Sequence, residues 1–281
     1  MSVLADPIAP TIRPTRDGSH VQTVPHGSFG RIKKKRGARQ LIFMPGLFFK
    51  IGRNGVEMSN IERECNSFQK AAKFRFWEPL LTRVYRIPTY GFVGRRLRPA
   101  TPNDFDRLVE TIETHFDASL EYPEGDMYGG VENRPLFQHL TAAERKTLET
   151  RLRRFRLPKT SMHGDVHVFN FVFSGQSPRL VDWEFFDPDG SFIYDYLEFF
   201  ISVSSINSDD SWHKIMRRIG TDHPAIATVA QRLDISPLVL LTYYLFLKVN
   251  TILSLHGTFT RVNDAFFEDA TAGLRATLQA A

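Results

Sequence analysis

The densest polar segment of the chain runs from Ser161 to Phe173 (SMHGDVHVFNFVF) and is followed by RLVDWE at 179–184. Asp165 and Asn170 stand five residues apart in a loop that leads into an apolar strand, and Asp182 ends the next one. Residues 171–182 (FVFSGQSPRLVD) read as a hairpin, so the chain returns on itself and Asp182 is expected to face the loop of Asp165 and Asn170. Two carboxylates and a carboxamide converging at strand ends suit Mg²⁺, a hard cation that takes oxygen ligands and keeps several waters. One of the carboxylates can instead accept the proton of an attacking hydroxyl. That division of labour is what phosphoryl transfer requires. His163 and His167 flank Asp165, but zinc takes three or four ligands rich in N and S, and this cluster is dominated by oxygens.

The elements that could position these residues differ on the two sides of residue 98. From Phe29 to Gly52 the texture is strand-like, with RQLIFM and LFFKIG flanking a Pro45-Gly46 hairpin turn. Ser59 to Glu62 has the capping-box pattern, and Ile61, Cys65, Phe68 and Ala72 form an apolar stripe at helical spacing. A further strand pair is expected at 81–86 and 89–97. Residues 25–98 therefore read as a small antiparallel sheet carrying one helix, behind a loosely held, Pro-containing lead-in at 1–20. Lys50 is the only charge inside an apolar strand of that sheet, and must be paired or reach water to stay charged. Beyond residue 98 the character is mostly helical. Thr101 to Asp104 is a capping box with Pro at the first helical position, residues 121–135 read as a loop, and Thr141 to Glu144 starts another helix. The expected class is α+β with two lobes, a β-rich lobe at 1–98 and a helical lobe at 99–281.

Residue by residue, HGDVHVFN at 163–170 with Asp182 in LVDWE resembles the catalytic core of the aminoglycoside phosphotransferase and choline kinase family, which has a protein-kinase-like fold. The downstream Tyr194-Asp195 pair resembles that family's aspartate helix. The resemblance covers residues 161–198 closely and the remainder in layout. It implies a small-molecule kinase using ATP and Mg²⁺, with Asp165 as catalytic base, Asn170 and Asp182 as metal ligands, and His163 and Asp195 bracing the loop. It also implies a strand lysine on the phosphates, expected to be Lys50, with a helix glutamate orienting it. Glu62 and Glu64 compete for that place. Glu62 is the capping-box acid, and the family places a large apolar residue four after its glutamate, as Phe68 follows Glu64, so Glu64 is expected. The phosphate-covering loop matches least: His26-Gly27 to Gly30 and Lys35 to Ala38 around Gly37 are both candidates. No arginine separates His163 from Asp165 and no APE motif follows, which argues against a regulated protein kinase.

Composition sets the remaining bounds. The chain has 281 residues, 42% of them hydrophobic, and a single cysteine, which excludes disordered and disulfide-framework classes. No signal-like start is present and the apolar stretch from Leu238 to Leu255 contains Lys248 and Asn250, so a cytoplasmic protein with a core helix is expected. The net charge of +5 conceals a basic first hundred residues and an acidic remainder. No RNA- or DNA-binding motif accompanies the basic run Arg31–Arg39, so a triphosphate is the expected anion, not nucleic acid. Glu184, Asp187, Asp189, Asp195 and Glu198 follow the metal aspartate and are candidates to hold a cationic acceptor such as an amino sugar or amino alcohol. Two alternatives stand beside this reading. One is a surface-glycan sugar kinase whose basic residues meet an anionic glycolipid at a membrane surface, and the other is a nucleotide-binding pseudokinase scaffold.

Overall fold

The computed structural model describes residues 30–33, 40–44, 46–52, 55–87, 91–207, 215–216, 218–255 and 262–280. The expected lead-in, the candidate loop residues Gly27 and Gly37, and Pro45 lie outside them. Among the described residues five antiparallel strands come first: β1 (Gly30–Lys33), β2 (Gln40–Met44), β3 (Leu47–Ile51), β4 (Val84–Ile87) and β5 (Gly91–Arg95), in the order β1-β2-β3-β5-β4. Met44 pairs with Leu47, which leaves two residues for the turn between β2 and β3. Helix α1 (Gly55–Ala71) connects β3 to β4 and packs Ile61 and Cys65 on Phe92, with Phe48 and Val84 alongside. The two-residue period of β3 puts Phe48 and Lys50 on one face, toward α1.

Two sequence expectations shift here. Helix α1 starts at Gly55, so Ser59 lies inside it and Glu62 is not a capping acid; Glu62 instead pairs with Arg86 at 2.8 Å. No proline interrupts residues 55–58, and the helical ladder continues upstream through them. The buried stripe also closes at Ala71, because Ala72 is past the helix end and exposed.

The chain leaves β5 through the short strand β6 (Arg98–Pro99). Thr101 then donates its N–H to Asp104 at 2.8 Å, completing a capping box ahead of α2 (Phe105–Ser119). Residues 121–135 are not a plain loop. They hold β7 (Glu124–Asp126) and α3 (Tyr128–Glu132), because β7 finds a partner in residues 156–158, well beyond any local window. Helices α4 (Pro135–His139) and α5 (Ala142–Leu152) follow, the latter capped by Thr141, whose Oγ1 accepts the Glu144 N–H at 3.2 Å. Next come β8 (Arg156–Pro158) and the hairpin of β9 (Phe171–Ser174) and β10 (Ser177–Leu180). Strand β6 pairs with the other edge of β9, so the segment leaving the first sheet is stitched directly onto the hairpin that carries Asn170 and Asp182.

The last elements are α6 (Phe192–Asn207), α7 (Pro224–Leu233), α8 (Pro237–Leu255) and α9 (Val262–Gln279). Every residue from Phe192 to Phe199 and from Leu240 to Asn250 is buried, so α6 and α8 are surrounded on all sides along these stretches and form the core. No single helix among the described residues is long and apolar enough to cross a membrane. An aromatic cluster joins this core to the site: Trp77 meets Trp183 edge-on with centroids 5.3 Å apart, and Trp77 lies 5.6 Å from Phe192.

Candidate active site

Lys50 is buried in β3, and its ammonium is held between two acids. Nζ lies 2.5 Å from Oε2 of Glu64 on α1 and 2.6 Å from Oδ1 of Asp182, which is 132 residues away along the chain. Burial opposes the charge on Lys50, yet the two carboxylates outweigh it and hold the ammonium above its usual range. One cation facing two acids leaves the cluster short of positive charge. Burial pushes Glu64 up to about 7 against the pull of Lys50. Strand pairing keeps the lysine in place: Ile51 is opposite Gly91, where a Cβ would sit 1.8 Å from the Lys50 carbonyl oxygen, so only glycine allows that approach.

Asp182 follows β10 in the left-handed region (φ 65°, ψ 54°), a conformation that asparagine and aspartate tolerate best among non-glycine residues. Its neighbour Val181 ties the hairpin to the preceding loop, donating its N–H to the Asn170 carbonyl at 3.0 Å and accepting from His163 Nε2 at 3.1 Å. His163 Nδ1 accepts the Asp165 N–H at 3.3 Å. With one nitrogen donating and the other accepting, the ring is neutral, and burial pushes its pKa down to about 4. Asp195, buried on α6, accepts the N–H groups of His163 at 2.6 Å and Gly164 at 2.8 Å. Burial raises its pKa well above the usual carboxylate range, with those two N–H groups working the other way. Gly164 has φ +88°, and a Cβ there would lie 2.6 Å from the Phe185 carbonyl oxygen.

Asp165 thus sits in a loop fixed from three sides. Asn170 Nδ2 donates to the Asp165 carbonyl at 2.8 Å and to its Oδ2 at 2.9 Å. The amide nitrogen being committed, Oδ1 is the atom Asn170 can offer a cation, so Asn170 and Asp182 form an oxygen donor set of the kind a hard divalent ion takes. Burial pushes the Asp165 carboxyl upward, but contact with His167 and the charge of Lys248 bring it below the usual value, so it stays ionised. His167 Nε2 lies 3.4 Å from Asp165 Oδ2, while its Nδ1 is buried with no hydrogen-bond partner. Among the described residues no cluster of three His, Cys, Asp or Glu side chains could hold a metal by itself.

An apolar cavity of about 220 Å³ opens beside this cluster. Phe48, Val84 and Phe92 wall it from the first sheet, Leu97 and Pro99 from the connecting segment, and Val172 and Val181 from the hairpin, with Lys50, Glu64 and Asp182 also in its lining. Gly30 opens β1, whose hairpin with β2 flanks the Lys35–Ala38 segment. The five candidate acceptor acids are spread over different tasks. Glu184 faces Arg63 at 3.5 Å, Asp187 binds Arg134, and Asp189 faces Lys159 at 3.2 Å. Asp195 braces the loop, and Glu198 is buried against Lys248 and accepts from Tyr244 OH at 2.9 Å. The buried ones among them demand such a partner, whereas Asp189, with its side chain 70% exposed, stays open to solvent beside Lys159. Sequence reasoning passed over Trp77, which donates to Ser161 Oγ at 2.8 Å and anchors the start of the loop. It also passed over Phe169, a large aromatic residue placed directly before Asn170 in a polar loop, which was the available signal.

No protein-family model and no curated protein matches the chain by sequence. Solved structures do match in fold. A choline/ethanolamine kinase family protein from Mesorhizobium loti is 15% identical, with a TM-score of 0.50 over 91% of this chain and 89% of that one. A thermostable mutant of aminoglycoside phosphotransferase APH(4)-Ia is 12% identical, with a TM-score of 0.54 over 90% of this chain and 94% of that one. The chain therefore has the α+β, kinase-like fold of a choline/ethanolamine kinase family protein and an aminoglycoside phosphotransferase.

Proposed function

We propose that this protein is a phosphotransferase that moves the γ-phosphate of ATP to a hydroxyl group of a small molecule. The observation that carries the reading is the meeting of Lys50, Glu64 and Asp182 within 2.6 Å, beside a loop in which Asn170 positions an ionised Asp165. The fold shared with two proteins named as small-molecule kinases agrees with it. In this reading residues 1–98 form the nucleotide-binding lobe and 99–281 the lobe that presents the loop. The apolar walls of the cavity receive the flat base, and the Lys50 ammonium orients the phosphates at its polar end. One of the loops around Gly27 to Gly30 or Gly37 covers them. Mg²⁺, when bound, neutralises phosphate charge, and Asn170 and Asp182 are the residues that would hold it. Asp165 orients the acceptor hydroxyl and takes its proton, while His163 and Asp195 keep the loop backbone from shifting.

The test is phosphorylation of a panel of hydroxylated metabolites by the purified chain with ATP and Mg²⁺, read as product mass. Asp165→Asn is expected to lower turnover by about 10² to 10⁴-fold with nucleotide affinity little changed. Near-normal turnover in that variant would show that Asp165 is not the base.

A further inference from the structure

Phe169 is 75% exposed, more than the other outward-facing large apolar side chains among the described residues, of which Tyr85 is next at 64%. It is not on a loose segment. Asn170 donates its N–H to the His167 carbonyl at 2.9 Å, the Asn170 carbonyl is bound by Val181, and Val168 packs against the main core. The Phe169 ring meets the His167 ring edge-on with centroids 6.0 Å apart, and His167 in turn touches Asp165. A rigid turn therefore displays an uncovered aromatic ring one residue before Asn170 and four after Asp165, on the loop an acceptor hydroxyl must approach. The acids near the site have protein cations or backbone groups as partners, so charge alone offers little to select an acceptor.

We propose that Phe169 is a specificity-determining residue whose ring stacks on the apolar face of a ring-shaped acceptor while the acceptor's hydroxyl reaches Asp165. This rests on the phosphotransferase reading. A sugar or other cyclic alcohol carries a flat C–H face that covers an aromatic ring, whereas an open-chain amino alcohol covers only a small part of it.

The experiment compares ring alcohols (methyl β-D-glucopyranoside, glucosamine, kanamycin) with open-chain alcohols (choline, ethanolamine, glycerol) in wild type, Phe169→Ala and Phe169→Tyr. Product is read by mass, and KM and kcat are determined for each acceptor and for ATP. Ring alcohols should be the better acceptors. Phe169→Ala should raise their KM about five- to tenfold without a matching rise in the KM for ATP, and Phe169→Tyr should restore it. Equal or better use of open-chain alcohols overturns the inference, as does an unchanged ring-acceptor KM in Phe169→Ala. Transfer to neither class, with ATP hydrolysis that depends on Asp165, also counts against it while leaving the phosphotransferase reading in place. Absence of any nucleotide turnover removes that reading, and this inference with it.

Discussion

Asp195 offers a direct test of how the loop is held. Its carboxylate is fully buried and accepts two backbone N–H groups, from His163 at 2.6 Å and Gly164 at 2.8 Å. Asp195→Ala strands both donors, and a buried donor without a partner costs roughly 1–3 kcal/mol, so the expected loss is roughly 2–6 kcal/mol. Relief of the carboxylate's burial and of its repulsion from Glu198 and Asp165 offsets part of that loss, which favours the lower half of the range. Asp195→Asn keeps one acceptor oxygen but turns an NH₂ toward the second N–H, so roughly half the loss is expected, about 1–3 kcal/mol. Because the two N–H groups belong to the residues immediately before Asp165, a shift of the loop by about 1 Å should lower turnover on the order of 10²-fold. Urea unfolding followed by tryptophan emission gives the stabilities, and ADP formation gives the turnover. An Asn variant within about 0.5 kcal/mol of wild type and with intact turnover would refute the brace. A variant of normal stability with only a raised acceptor KM would instead place Asp195 at the acceptor.

Other outcomes follow from the same geometry. Glu62→Ala removes an exposed pair with Arg86 and should cost less than about 1 kcal/mol, whereas Glu64→Ala leaves Lys50 to Asp182 alone and should weaken nucleotide binding by about tenfold, measured by calorimetry. The His163 pKa is about 4 in the fold against 6.5 when unfolded, so the unfolded chain binds more protons between those values. Stability contributed by neutral His163 is complete above about pH 6.5 and falls by roughly 3 kcal/mol as the pH drops to 4, a slope that His163→Asn should flatten in denaturation series. Gly164→Ala puts a Cβ 2.7 Å from the Phe185 Cβ at a φ of +88°, and should cost on the order of 1–3 kcal/mol together with turnover; unchanged unfolding and activity would contradict that strain.

The signals legible in the sequence were the short-range ones. The capping boxes at Thr101 and Thr141, the β9–β10 hairpin and the antiparallel pairing of β2 with β3 are each specified by hydrogen bonds and periodicity within a few residues, and each forms where the sequence places it. The motifs HGDVHVFN and LVDWE, on which the phosphotransferase reading rests, likewise lie within one short segment, residues 163–184. The start of α1 was misread, since a capping pattern can occur inside a helix that nothing upstream interrupts. Strand β7 was missed because its partner β8 is not a sequence neighbour.

What only the tertiary structure decided is which charges meet. Two acids on α1 lie on either side of the same apolar stripe, and sequence geometry separates them weakly. In the fold Glu64 turns toward Lys50 at 2.5 Å, while Glu62 turns outward to Arg86. Asp195 and Glu198 are one helical turn apart and similar in type, yet one holds backbone N–H groups and the other a buried lysine from α8. Lone-pair and charge satisfaction is a long-range property: a buried carboxylate must find a donor, and packing, not local sequence, determines which donor is in reach. The sequence by itself therefore determined the types of group available for chemistry. Their pairing across 132 residues, and the uncovered ring of Phe169 beside them, came from the way the elements pack.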